Sequence, residues 1–278
     1  MAYLDTHRHA VYPDKLRYSW TDGVPFLAHR EFSHETYLAQ SEPRVSRSLF
    51  METGVDEADY QNEARLAADW IAAGIVEGQI ASCRPEQDGF AAWIDEGEAL
   101  GVRAYRRILH VVDQSLSEGA VFRQNLALLA ARDIPFELCL FWHQLDVAVA
   151  LARAVPNLRF VLNHCGNPDI AGGQHAAWAE KLAQVADVAQ INVKMSGLGP
   201  NALDSQQNYE GYAPYLETVV DCFGPDRIVW ASDWPVSAGH MPQETWLDIC
   251  DRFLGQLSAD DAHAIRMGNA VRIYGLAE

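Results

Sequence analysis

His7 and His9, in the opening run Asp5-Thr6-His7-Arg8-His9, are the first residues whose type and spacing suggest chemistry. On an extended chain, residues two apart share a side, so the two imidazoles project together. Such a pair can share a metal ion or donate jointly to a developing oxyanion. The plainer alternative is two surface histidines in a loop. His164 follows the apolar run Leu158–Asn163, and Asp233 follows the apolar run Arg227–Ser232. A carboxylate directly after a buried strand must be hydrogen-bonded, bound to a cation or used as a base. Asp233 is therefore read as a base, against an N-cap or a structural ion pair.

Several further polar residues fall at or near the ends of apolar runs. Arg103, Arg106 and Arg107 share the run Val102–Leu109. Guanidinium groups in a buried strand are costly unless they face an opening or pair with acids. They suit recognition of a carboxylate or an oxygen-rich substrate, or else pairing with acids such as Glu52 or Glu137. His143 follows the run Ile134–Phe141, and Lys194 and Ser196 end the run Gln190–Met195. By position Lys194 and Ser196 either contact substrate or hold Asp233, while Glu52 is a ligand, a base or an arginine partner. Trp20, Trp142, Trp178 and Trp234 are candidate walls for a sugar or ring pocket, although tryptophan is more often core. The chain contains no GxSxG, HExxH or glycine-rich phosphate loop.

These residues need a scaffold that gathers strand ends. Short apolar runs alternate with helical patterns along the whole chain. Ala2–Thr6, Val45–Thr53, Ile75–Ser82, Val102–Leu109, Ile134–Phe141, Leu158–Asn163, Gln190–Met195 and Arg227–Ser232 read as eight strands. Glu57–Ala73, Phe90–Leu100, Gly119–Ala131, Gln144–Ala154, Trp178–Ala186, Tyr212–Phe223, Gln243–Leu254 and Ala259–Met267 read as helices. Continuous apolar strands suit a parallel sheet buried on both faces, and the repeat of roughly 30 residues matches a βα unit. Eight units favour a closed (β/α)8 barrel over an open doubly wound sheet, and no GxGxxG follows the first strand. One domain over residues 1–278 is expected, with long connections at 10–44 and 196–211.

Composition narrows the class. The 278 residues are 49% hydrophobic and 21% charged, an ordinary globular balance. A net charge of −17 repels phosphate backbones and anionic lipid, so neither nucleic acid nor membrane is an expected partner. Five scattered cysteines with no CxxC pair, and no basic-then-apolar leader, predict a reduced, cytoplasmic protein. A homo-oligomer is compatible with the sequence.

The motifs DTHRH, NHCG, KMSGL, SDWPV and GNAVRIYGL together resemble the amidohydrolase superfamily. The resemblance runs from Leu4 to Leu276 and is nearest the branch of 2-pyrone-4,6-dicarboxylate lactonase, L-fuconolactonase and L-rhamnonolactonase. It implies a (β/α)8 barrel and hydrolysis of a small-molecule lactone, either a sugar aldonolactone or uronolactone from carbohydrate catabolism or a pyrone carboxylate. It also matches His7, His9, His164 and Asp233 to the family's catalytic positions, with His7, His9 and Asp233 as ligands wherever a metal is bound. The cofactor is then either none or one Zn²⁺. Where metal-dependent relatives often carry a fourth-strand lysine, this chain has arginines.

The implied mechanism is attack of Asp233-activated water on the carbonyl, with the histidines stabilising the oxyanion. Arg103, Arg106, Arg107, His143, Lys194 and Trp20 are the candidate substrate contacts. The competing readings are a Zn²⁺-dependent non-oxidative decarboxylase of the same superfamily and a non-catalytic binding protein on the same scaffold.

Overall fold

The apolar runs fold as eight parallel strands because each is followed by a helix or long connection that returns the chain to the same end. A computed structural model describes residues 2–41 and 43–278. The strands are β1 (Tyr3–Arg8), β2 (Val45–Met51), β3 (Gln79–Ser82), β4 (Val102–Ile108), β5 (Phe136–Cys139), β6 (Phe160–Leu162), β7 (Ile191–Met195) and β8 (Ile228–Trp230). Each pairs in parallel with the next in chain order, which makes the expected (β/α)8 barrel.

Closure lies just beyond β8. The Asp233 amide donates to the His7 carbonyl at 2.8 Å, and the His9 amide donates to the Trp234 carbonyl at 2.8 Å. Asp5 latches the same seam: its Oδ1 accepts from the amides of His7 (3.0 Å) and Ser232 (2.9 Å), and its Oδ2 accepts from the Tyr37 hydroxyl (2.6 Å). The aspartate of DTHRH thus holds the barrel shut and carries no reacting group.

Leu4, Met51, Ile80, Ala104, Val161 and Val229 pack together inside the barrel against Ala270, Ile273 and Tyr274 of the terminal helix Asn269–Tyr274. That helix plugs the end of the barrel away from the strand tips. A larger apolar layer, including Trp178 and Trp230, lies between strands and outer helices.

Most helices match the sequence reading to within a few residues. Tyr209–Phe223 starts earlier than expected because the Asn208 side chain accepts from the Gly211 amide at 2.9 Å, an N-cap. Ala259–Met267 divides into an α-turn, Ala259–His263, and a π-helical turn, Ala264–Gly268. The 10–44 connection contains a helix, His34–Ser41, with no strong apolar periodicity to announce it. β1 extends through Arg8, past the expected end at Thr6, so His7 lies within the strand. No helix among the described residues is long and apolar enough to cross a membrane.

Candidate active site

Three strand ends, those of β1, β6 and β8, deliver His7, His9, His164 and Asp233 to one point. Asp233 Oδ1 lies 3.8 Å from His7 Nε2, 3.6 Å from His9 Nε2 and 3.7 Å from His164 Nε2. Its other oxygen accepts from Ser237 Oγ at 2.8 Å. All four side chains are buried.

The backbone at this point is unusual. His164 (φ +55°), Cys165 (+53°) and Asp233 (+57°) occupy the left-handed region, where a non-glycine residue costs roughly 1–3 kcal/mol. The turn is crowded as well. A Cβ on Gly197 (φ +64°) would sit 2.4 Å from His164 Nδ1, so the glycine of KMSGL makes room for the histidine of NHCG. Ser196, beside it, places its hydroxyl 3.0 Å from the same nitrogen. Ser196 therefore orients His164, and it is Ser237 that holds Asp233.

Two buried ion pairs support the cluster. Arg106 donates through Nε to Glu52 Oε1 (2.6 Å) and through Nη2 to the Glu52 carbonyl (2.7 Å). Its Nη1 lies 3.3 Å from His7 Nε2 and 3.5 Å from Asn163 Oδ1. Below His7, Lys194 Nζ meets Glu137 Oε2 (2.8 Å), the Thr6 carbonyl (2.7 Å) and His7 Nδ1 (3.3 Å). Glu137 in turn accepts from Asn163 (2.6 Å) and the Tyr274 hydroxyl (2.8 Å), tying the site to the terminal plug.

Protonation follows from these surroundings. Burial pushes His164 down to about 4, and burial together with the Lys194 charge holds His7 well below its usual range. Both rings are neutral at pH 7. Burial alone would raise the Asp233 carboxyl, but His164, His9 and the Ser237 hydrogen bond outweigh it and hold the group below the ordinary carboxylate range. Burial lowers Lys194 to about 8 despite its Glu137 partner. The site therefore presents an ionised carboxylate beside the neutral imidazoles of His7 and His164.

A cavity of about 460 Å³ opens above the cluster, lined by His9, His164, Asp233 and Arg106 at its base. A larger depression of about 980 Å³ lies between the helices His34–Ser41 and Gln243–Leu254. No histidine lines it, and its acids Glu244 and Asp248 are exposed, so the chemistry resides in the smaller cavity.

The structure corrects four of the expected substrate contacts. Arg103 is exposed near the start of β4, where it covers Gly78 at the far end from the mouth. Arg107 points out of the barrel and pairs with Glu86 at 2.8 Å. The pleat explains both: 103, 105 and 107 share the outer face, leaving Arg106 alone directed inward. His143 is exposed and stacks on Phe141, away from the cavity. Lys194 lies beneath His7, where it can position that ring but cannot touch a ligand. Trp20 does reach the cavity, with its Nε1 donating to the Thr53 carbonyl at 2.9 Å.

Among the wall residues that escaped the sequence reading is one histidine. His110 follows β4, lines the cavity and sits 3.4 Å from Cys139 Sγ through Nδ1. The strand-end criterion points to it, since His110 directly follows the run Val102–Leu109. Ser237 and Asn163 were missed for want of any local pattern.

The metal trio also shifts. One ligating atom from each of His7, His164 and Asp233 lies within 4.8 Å of the other two, so His164 replaces His9 in the tightest set.

A family model described as amidohydrolase matches residues 4–276. The chain is 28% identical to an L-fucono-1,5-lactonase of Burkholderia ambifaria, covering 98% of this chain and 94% of that protein. It superposes on an amidohydrolase from Burkholderia multivorans crystallised with bound zinc, at a TM-score of 0.89 and 22% identity over the full length of both chains. The 5-carboxyvanillate decarboxylase of Sphingomonas paucimobilis shares the fold more distantly, at a TM-score of 0.65 and 16% identity over 99% of each chain.

Proposed function

Because this chain belongs to the amidohydrolase family, we propose that it opens a lactone ring with water, using Asp233 as the base. The observation that carries the reading is the placement of one ionised carboxylate oxygen within 3.8 Å of three imidazole nitrogens at the floor of a cavity. Full-length similarity to a named lactonase supports the substrate class.

The lactone carbonyl enters above His9 and His164. Asp233 Oδ1 accepts a proton from water as the water oxygen bonds to the carbonyl carbon. Negative charge passes to the carbonyl oxygen, where the imidazoles lower its energy. Collapse breaks the bond between the acyl carbon and the ring oxygen, and Asp233 returns its proton to that oxygen. The product hydroxy acid ionises, releasing one proton per ring opened. No covalent bond to the protein forms.

The donors also suit a Zn²⁺-sized ion. His9 directs Nδ1 at the carbonyls of Met51 (3.1 Å) and Glu52 (3.0 Å), which fixes its proton there and turns the Nε2 lone pair toward Asp233. Two facing acceptors, one of them charged, call for a cation between them. The Arg106 guanidinium beside His7 opposes this, but Glu52 neutralises its charge. His7, His164 and Asp233 would hold the ion, with His9 alongside, and it would supply Lewis acidity and a more acidic water.

A decarboxylase would have to hold a substrate carboxylate over the same floor. The one cation lining the cavity among the described residues, Arg106, is committed to Glu52, so nothing on this site favours that reading. The five cysteines are unpaired, which supports a cytoplasmic setting for a single barrel domain. Proton release on mixing the protein with neutral and carboxylated lactones, followed with a pH indicator, tests the activity.

A further inference from the structure

We propose that the lactone opened here is uncharged and carries an apolar substituent directed toward the mouth of the cavity. The inference rests on the lactonase reading and narrows its substrate.

The cavity is polar at its floor and largely apolar above it. Its walls and rim are built from Trp20, Ile108, Val111, Phe141, Pro200 and Val236. Trp20, Val111 and Phe141 are 40%, 67% and 40% exposed, and they count among the few large hydrophobic side chains that the described surface leaves open. Apolar side chains clustered on a cavity rim mark a contact surface, because isolated exposure elsewhere needs no explanation.

Most polar groups on the walls are already engaged within the protein, and burial keeps the wall imidazole of His110, whose Nδ1 lies 3.4 Å from Cys139 Sγ, uncharged. The Thr53 hydroxyl donates to the Ala10 carbonyl (3.2 Å). The Asn167 amide donates to the Leu140 carbonyl (2.8 Å), and the Asn201 amide donates to the Gly197 carbonyl (3.1 Å). The Trp20 indole is held by Thr53, and all three Arg106 nitrogens have protein partners. A substrate carboxylate would therefore enter without a free cation, against a chain of net charge −17. Losing its hydration without a partner disfavours such a substrate, whereas alkyl carbon on this wall gains contact.

The test compares kcat/KM for γ-valerolactone, γ-hexalactone and γ-heptalactone with that for 5-oxotetrahydrofuran-2-carboxylate. An aldonolactone serves as a further neutral probe. The expected result is a rise along the alkyl series, each methylene contributing several-fold, and at least tenfold discrimination against the carboxylate. Val111→Lys, at an exposed position that folding tolerates, should narrow that discrimination at least fivefold by raising turnover of the carboxylate, with Tm confirming a folded protein. A flat or falling alkyl series overturns the proposal, as does equal or faster opening of the carboxylate. Opening of the aldonolactone without any alkyl lactone would also overturn it while leaving lactone hydrolysis in place. Failure to open any probe, the aldonolactone included, would remove the lactonase reading itself.

Discussion

Asp233 Oδ1 and His9 Nε2 face each other at 3.6 Å, although one residue follows β8 and the other follows β1. The seam that closes the barrel brings them together, with the His9 amide bound to the Trp234 carbonyl beside Asp233. Barrel closure and assembly of the reacting groups are one event, so damage to the seam should appear in both stability and activity.

The arginines of β4 should behave unequally. Arg103→Ala and Arg107→Ala should leave kcat/KM within about twofold, since neither reaches the cavity. Arg106→Met and Glu52→Gln each strand one charge of a buried pair and should cost about 3–5 kcal/mol of stability, read from urea unfolding, and most of the activity.

Lys194 acts through another residue. Lys194→Met removes the group that spans Glu137 and His7, and should lower kcat roughly 10–100-fold with little change in KM. Loss of stability should accompany it, because Glu137 is left buried without its cation. An effect on KM alone would mean direct contact with substrate.

The buried histidines should give a stability contribution that is lost in acid. His164 ionises at about 4 and His34 at about 3 in the folded protein, chiefly through burial, against an unfolded value near 6.5. Between those limits the unfolded histidines bind more protons than the folded ones, so their contribution is complete above about pH 6.5 and declines as pH drops toward 4, while Glu63, raised by burial to about 8, contributes the opposite slope. For His164 alone the full decline is on the order of 3 kcal/mol. Denaturant midpoints of the wild type and of His34→Phe at pH 7.5, 6 and 5 isolate the His34 share: the wild type should lose stability relative to the variant as pH falls.

Zn²⁺ should raise the Tm of the metal-free protein, and the increase should vanish in His164→Asn. Calorimetry with and without the ion reads this independently of turnover. An equal shift in the variant would place the ion elsewhere.

Much of this architecture is legible in the sequence, because eight apolar runs at βα spacing leave few alternatives to a barrel. The gathering of His7, His9, His164 and Asp233 follows from the rule that strand tips meet at one face. What the sequence hides depends on parity and depth. Arg103, Arg106 and Arg107 look equivalent in one dimension, yet a period-two pleat sends only Arg106 inward. Lys194 ends its strand as a mouth residue would, yet its side chain runs under His7 to Glu137. The helix His34–Ser41 carries no apolar stripe, since only His34, Tyr37 and Ser41 are buried along it.

The most direct test of the account is hydrolysis of a neutral lactone by the wild type and by Asp233→Asn under identical conditions, with proton release as the readout. The account predicts rapid opening by the wild type and a loss of roughly 10²–10⁴-fold in kcat for a variant that keeps its Tm and still binds the lactone. Near-normal turnover in that variant would show that another group takes the proton from water.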